Sequence, residues 1–276
     1  MCNTTRSRSM IHVVTVPAGS SSYAEIGQRH AMRMAQLFQA RLRVAMIWGT
    51  EDTEGANAGD VNWEARADKE VERISREAGN SDILVERSLR GEGLLMGLLA
   101  EARETDLLVL GLPECPTGDE PVCKAIRHNE LPVLHKAECL ILVVYRDPAP
   151  IQSVLVDYHG GSEGKAALRA AGELAIRASA AVTVLSIDQA RDNAGMLAAS
   201  GKRYLAGFGI SAINTIERLG EPDSETEVLH AAESIGADLV VVGGERHGLL
   251  GWLLRGVGTH PEEISAALGR PVLIAR

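Results

Sequence analysis

The sequence predicts an α/β protein built as two tandem copies of one unit, each an open five-stranded, mostly parallel sheet with helices on both faces. Three observations predict it. Asp106-Leu107-Leu108-Val109-Leu110-Gly111 returns as Asp238-Leu239-Val240-Val241-Val242-Gly243 after 132 residues. Leu140-Ile141-Leu142-Val143-Val144 returns as Pro271-Val272-Leu273-Ile274-Ala275 after 131 residues. Short, continuously apolar runs also alternate with segments of helical period, the pattern of strands buried on both faces by crossover helices. The 276 residues divide near their midpoint, giving a first domain at 1–147 and a second at 151–276. The stretch Arg146-Asp147-Pro148-Ala149-Pro150 reads as the linker.

In the first copy, Ile11–Val16 reads as a strand that corresponds to Val154–Tyr158, each running into a Gly/Ser-rich turn. Its remaining segments follow the same plan more loosely. In the second copy Ser153–Tyr158 is a strand, and Ser162–Ala178 is a helix with Ala167, Leu168, Ala171, Leu174 and Ala175 on one face. Val182–Ile187 and Asn214–Arg218 are further strands. Ser224-Glu225-Thr226-Glu227 is a capping box opening a helix that buries Val228, Leu229, Ala232 and Ile235. The strand Leu239–Val242, a Gly-rich loop, a last helix and the strand Val272–Ala275 complete the order β-α-β-(α)-β-α-β-α-β.

Composition narrows the function classes. Apolar residues make up 45% and charged residues 24%, the balance of a globular chain. Apolar runs stay far below the ~18 residues of a membrane span, and no secretory signal is visible at the start, so the expected location is the cytoplasm. Net charge is −9 with no block of like charge, and aromatics are 3%. Both argue against a nucleic-acid groove, a base-stacking platform or an anionic membrane as partner. Four cysteines, Cys2, Cys115, Cys123 and Cys139, lie in the first half without a CxxC pair and read as free thiols, Cys139 as core. Cys115, Cys123, His128 and His135 have metal-binding side chains, but their spacing fits no zinc pattern, and no metal site is assigned.

The loop leaving the Leu239–Val242 strand runs from Gly243 to Thr259. It carries Gly244, Gly248, Gly251, Gly256 and Gly258, and ends in a helix signalled by Thr259 as N-cap, Pro261 in the first turn and Glu262 three residues after the cap. Gly269 and Pro271 signal its end. A glycine before an N-capped helix exposes free N–H groups, and the helix dipole adds to their field, so this is a candidate phosphate site. Arg246, His247, Arg255 and His260 supply further donors. The plainer reading of Gly243 and Gly244 is a turn needing positive φ, of Thr259 a cap alone, and of His159 a solvated loop histidine.

The second half resembles the universal stress protein family, whose members carry G-x2-G-x9-G-(S/T) at this loop and bind ATP with it. Gly248-x9-Gly258-Thr259 matches the second part of that motif. Ala237–Gly243 resembles the family's Ala-Asp-Leu-Ile-Val-x-Gly strand, Gly220-Glu221-Pro222 its Gly-x-Pro turn, and Gly161-Ser162-Glu163-Gly164 the turn after its first strand. The resemblance implies a sheet of the adenine-nucleotide-binding, Rossmann-like kind. It implies nucleotide contacts from His159, Ile187, Val242, Gly243, Gly248, Gly258, Thr259 and His260, with ATP, ADP or AMP as ligand and magnesium as companion. Two departures stand out. Gly243 and Gly248 are five apart where the family's glycines are three apart, and His159 occupies the place of the acidic residue that ends the first strand. Asp157 lies two residues earlier.

The first half lacks this equipment: Ala18 is read at the acid position, Arg127 and His128 at the Gly-Ser positions, and Asp119 and Glu120 oppose a phosphate. It reads as a structural or partner-binding copy. The sequence offers no nucleophile–base pair, so the expectation is a stress-response regulatory protein, not an enzyme, with any ATP hydrolysis slow and incidental. Two alternatives remain. One is a scaffold that binds no nucleotide. The other is an ATP-pyrophosphatase-like enzyme, from the loose likeness of Tyr158-His159-Gly160-Gly161-Ser162 to the Ser-Gly-Gly-x-Asp-Ser loop of those enzymes. By the same resemblance the last strands, Leu140–Val144 and Val272–Ala275, are sheet edges that the halves cover for each other, with a homodimer of chains as the further expectation.

Overall fold

The computed structural model describes residues 10–48, 62–79, 82–113, 132–220, 225–244 and 269–276. Its elements are β1 (Val13–Pro17), α1 (Ser22–Phe38), β2 (Arg41–Ile47), α2 (Trp63–Ala78), β3 (Val85–Arg90), α3 (Leu94–Ala102), β4 (Leu107–Gly111), a short α4 (132–136) and β5 (Leu140–Val144) in the first half. The second half has β6 (Ser153–Asp157), α5 (Gly161–Ala178), β7 (Ala181–Asp188), α6 (Arg191–Ala206), β8 (Ile213–Leu219), α7 (Glu225–Ser234), β9 (Leu239–Gly243) and β10 (Val272–Ala275).

All ten strands form one sheet in the order β3-β2-β1-β4-β5-β10-β9-β6-β7-β8. Every pairing is parallel except β5 with β10, which is antiparallel with Leu142 opposite Leu273. The two strands expected to be exposed edges therefore cover each other. A pseudo-twofold axis passes between Leu142 and Leu273. The true edges are β3 and β8, where Glu86, Arg87, Glu217 and Arg218 keep the outer strands charged and discourage pairing with other chains.

The continuous apolar runs have the predicted cause. β1, β4, β5, β9 and β10 are buried along nearly their whole length, because helices lie on both faces. On one face Met34, Phe38, Ile74, Leu168, Leu174 and Leu205 pack with the strands of both halves. On the other, Leu98, Leu134, Val228 and Ala231 do the same. Neither cluster is interrupted at the seam, and Arg177 of α5 lies over the Phe38 ring of α1 at 5.9 Å.

The repeat is reproduced in local detail. Asp106 Oδ2 accepts the N–H groups of His12 and Val13 at 2.8 and 3.0 Å, and Asp238 Oδ2 accepts those of Gln152 and Ser153 at the same distances. The aspartate that opens each repeated strand thus ties down the entry to its neighbour. Helices α1 and α5 both end on a left-handed residue, Gln39 at φ 54° and Ser179 at φ 56°. Sheet register corrects one expectation: Val14 pairs with Leu107 as Val154 pairs with Leu239, which makes Gly19, not Ala18, the counterpart of His159. Ser224 of the expected capping box lies outside the described residues, whereas Val228 and Ala232 of α7 are buried as expected and Leu229 and Ile235 partly so.

Candidate functional site

The strand ends of β9, β6 and β7 lie side by side in the sheet, so the loops leaving them share one edge of the second half. In such sheets ligands bind beyond the carboxyl ends of the strands. Strand β6 ends in Asp157, which is buried with only 1% of its surface exposed. Its Oδ1 lies 3.0 Å from Nε2 of His159, whose side chain is 27% exposed. The carboxylate thus orients the imidazole at the rim.

The chain then turns through Gly160 (φ 84°) and Gly161 (φ 67°). Side chains rarely adopt these conformations, which is why the sequence places two glycines there. Helix α5 starts on this turn with no side-chain cap. Glu163 in its first turn complements the helix dipole. Gly243 ends β9 close to this turn: a Cβ added there would stand 3.2 Å from the Glu163 Cβ.

Ile187 and Val242 have their side chains in the core, at 1% and 0% exposure, beside Val228 and Leu155. Of the eight residues the sequence singled out, His159 and Gly243 therefore have surface at the strand ends, and Ile187 and Val242 form the floor beneath. Gly248, Gly258, Thr259 and His260 lie outside the described residues, as do Arg246, His247 and Arg255. Cys115, Cys123 and His128 lie outside them as well, and among the described residues no group of three or more His, Cys, Asp or Glu is placed to hold a metal ion. Cys139 is buried in the core, and burial pushes its thiol up to about 11.

Two residues at this edge escaped the sequence reading. Asp188 closes β7, and its Oδ1 accepts the Ala190 N–H at 2.8 Å and lies 3.4 Å from the Asn193 amide nitrogen. The available signal was an acidic residue directly after an apolar strand. Arg276 lies across Gly244, where a Cβ would come within 2.7 Å of its Cγ. Its guanidinium donates to the carbonyls of His135, at 2.7 Å, and Leu134 on α4. The last residue of the chain thereby ties the start of the Gly-rich loop to the first half.

No family model matches the chain, and no curated protein does. Solved structures do match. A universal stress protein from Archaeoglobus fulgidus DSM 4304 is 14% identical, with a TM-score of 0.70 over 96% of each chain. A functionally unknown protein from Pseudomonas aeruginosa PAO1 is 16% identical with a TM-score of 0.56, covering 96% of this chain and 92% of that one. The cytoplasmic domain of a prokaryotic cation chloride cotransporter is 11% identical with a TM-score of 0.57, over 96% and 95%. The chain has the α/β fold of the universal stress protein along nearly its whole length.

Proposed function

We propose that the chain is a tandem universal stress protein, a regulatory protein that binds one adenine nucleotide in its second half, residues 151–276. The single observation that carries this reading is the edge shared by β9, β6 and β7. There an uncapped helix begins on two left-handed glycines beside Gly243, over a floor of Ile187 and Val242. An adenine nucleotide is held largely by N–H donors at a helix start, and the start of α5 beside Gly243, without a side-chain cap, is the candidate donor set. His159, steadied by Asp157, is the polar contact in place of the missing strand-end acid, and Asp188, which closes β7, is a candidate carboxylate for a ribose. Gly248, Gly258, Thr259 and His260 are assigned to the phosphates by resemblance, with magnesium as companion. The chain's own role is binding and not turnover.

The test is direct. Protein purified without added ligand is denatured, and the supernatant is assayed for ATP, ADP and AMP, with a thermal shift in ATP and magnesium alongside. About one nucleotide per chain, or a stabilisation of about 2.7 kcal/mol at a hundredfold excess over Kd, supports the reading. No nucleotide and no shift sinks it.

A second reading, a scaffold working through protein contacts, is favoured by the first half, residues 1–147. At its strand ends Trp48 stacks on Trp63 with centroids 5.1 Å apart and planes within 7°, and Arg66 lies 4.9 Å over Trp63. Trp48 follows Ile47, the counterpart of Ile187, so this ladder stands where a base would lie. It suits a protein partner. A homodimer of chains belongs to the same reading, but β5 and β10 are already paired within the chain, so it needs another surface. Light scattering that returns only 29.5 kDa excludes it.

A further inference from the structure

The pseudo-twofold axis gives the molecule two equivalent clefts at the seam, and they differ. Positions on α1 and α5 correspond 140 residues apart, and those on β5 and β10 correspond 131 apart. In one cleft Ala170, Glu173 and Leu174 of α5 face Leu107 and Leu140, and the space left is about 10 Å³. The Met10 N–H closes it by donating to both carboxylate oxygens of Glu173, at 2.9 and 3.1 Å. In the other cleft α1 faces the starts of β9 and β10, and a space of about 240 Å³ is open.

Three of the differing positions bring a basic side chain to the open cleft. Where the closed cleft is lined by Ala170 and Glu173, the open one has His30 and Arg33, with Arg270 at the position equivalent to Cys139. Both of its carboxylates are already engaged. Asp147 is held by Arg29 at 2.6 Å, and Asp238 accepts the two N–H groups that start β6. Arg33 and Arg270 have no hydrogen-bond or ion-pair partner among the described residues. The floor between them is apolar, formed by Met34, Leu142, Ile151 and Leu239. Two arginines lining one cleft with an apolar floor, its carboxylates already engaged, match a planar or tetrahedral oxyanion better than a cation or a neutral ligand.

We propose that this seam cleft binds a small doubly charged oxyanion, a phosphate monoester or a dicarboxylate, clamped between Arg33 and Arg270 with its carbon portion over Leu142 and Leu239. The cleft lies at the amino ends of β9 and β10, the opposite end of the sheet from His159 and Gly243. It is therefore independent of the nucleotide reading. A ligand held there ties α1 of the first half to the strands of the second, and so stabilises the seam by mass action.

The test is calorimetric titration of the full-length chain with inorganic phosphate, glycerol 3-phosphate and malonate, in chloride buffer of matched ionic strength. At least one should bind saturably, one per chain. Arg33→Gln and Arg270→Gln should each weaken it about tenfold or more, because each removes charge-assisted hydrogen bonds. His159→Ala should leave it unchanged. Thermal melts of each variant show that it is folded, and should one fail to fold, the other carries the test. Preference for glycerol 3-phosphate over malonate assigns a phosphate ester, and the reverse assigns a dicarboxylate. No saturable binding, or binding undiminished in the folded arginine variants, overturns the proposal. Binding lost in His159→Ala overturns it as well, because the anion is then at the strand ends.

Discussion

The two halves share a backbone plan and diverge where a ligand would sit. In the first, α1 presses on the end of β4: a Cβ on Gly111 would overlap the Tyr23 carbonyl oxygen and lie 2.9 Å from the Gly27 nitrogen. The helix is capped by its own Ser21, whose Oγ accepts the Ala24 N–H at 3.3 Å. In the second, α5 begins on two glycines without a side-chain cap, and a Cβ on Gly243 would meet the Glu163 Cβ at 3.2 Å and its backbone carbon and oxygen no closer than 3.4 Å. The seam repeats the lesson, with one cleft sealed by Met10 on Glu173 and its twin left open under Arg33 and Arg270. In each pair, one copy is closed by its own residues and the other is more open. A duplicated fold makes such differences readable, because the closed copy serves as an internal reference for the open one.

The largest expected effect lies on the axis, where the two halves are most alike. Leu142 and Leu273 face each other in register at 1% and 2% exposure. Truncating either to Ala removes core contacts of both halves and leaves a cavity, at a cost of about 2–5 kcal/mol. Because both core clusters run through the seam, urea unfolding of each variant should remain a single transition at lower midpoint. A transition split in two, with one half persisting, would show that the halves are separate cooperative units.

Next comes the pair of glycines that end β4 and β9. Gly111→Ala drives a methyl into backbone, which cannot give as a side-chain end can, and should cost about 1–3 kcal/mol. Gly243→Ala asks the first turn of α5 at Glu163 to give by a few tenths of an ångström and should cost less, under about 1 kcal/mol. Thermal melts of the two variants measured together decide it. Equal losses would mean that the first half's strand end is no tighter than the second's.

Much of this architecture was legible before folding. Runs such as Leu140–Val144 announce themselves because a parallel strand covered on both faces tolerates few polar residues, and their repetition located both halves. The pairing of β5 with β10 followed from the cost of leaving such edges bare. Helix α6 was harder to see, because it buries Ala194, Ala198, Gly201 and Leu205, mostly small residues that give a weak apolar period. The equivalence of His159 with Gly19 escaped because a one-residue slip at a strand exit alters no hydrophobic pattern inside the strand. At the candidate site His159 and Gly243 were readable as strand-end residues. The seam cleft was not, since Arg33 and Arg270 are 237 positions apart and meet only when both halves have folded.

The smallest effect distinguishes the two clefts by pH. His30 is buried at 3% exposure with its Nε2 2.9 Å from the Arg146 carbonyl. Burial dominates and lowers its pKa, the Arg146 carbonyl hydrogen bond and Asp147 oppose that, and Arg33 and Arg29 add to it. Arg270 and Asp238 face it across the cleft. The unfolded chain takes up its proton near pH 6.5, above the folded state. The His30 contribution is therefore complete above that pH and is lost as pH falls through 6.5 toward the lowered value, below which the loss levels off. Its counterpart Ala170 has no proton to bind, so this acid sensitivity belongs to the open cleft alone. His30→Gln should flatten the fall in melting temperature between about pH 7.5 and about pH 5.5. A wild-type curve that tracks His30→Gln at both pH values would remove His30 from the account and leave the two arginines as the difference between the clefts.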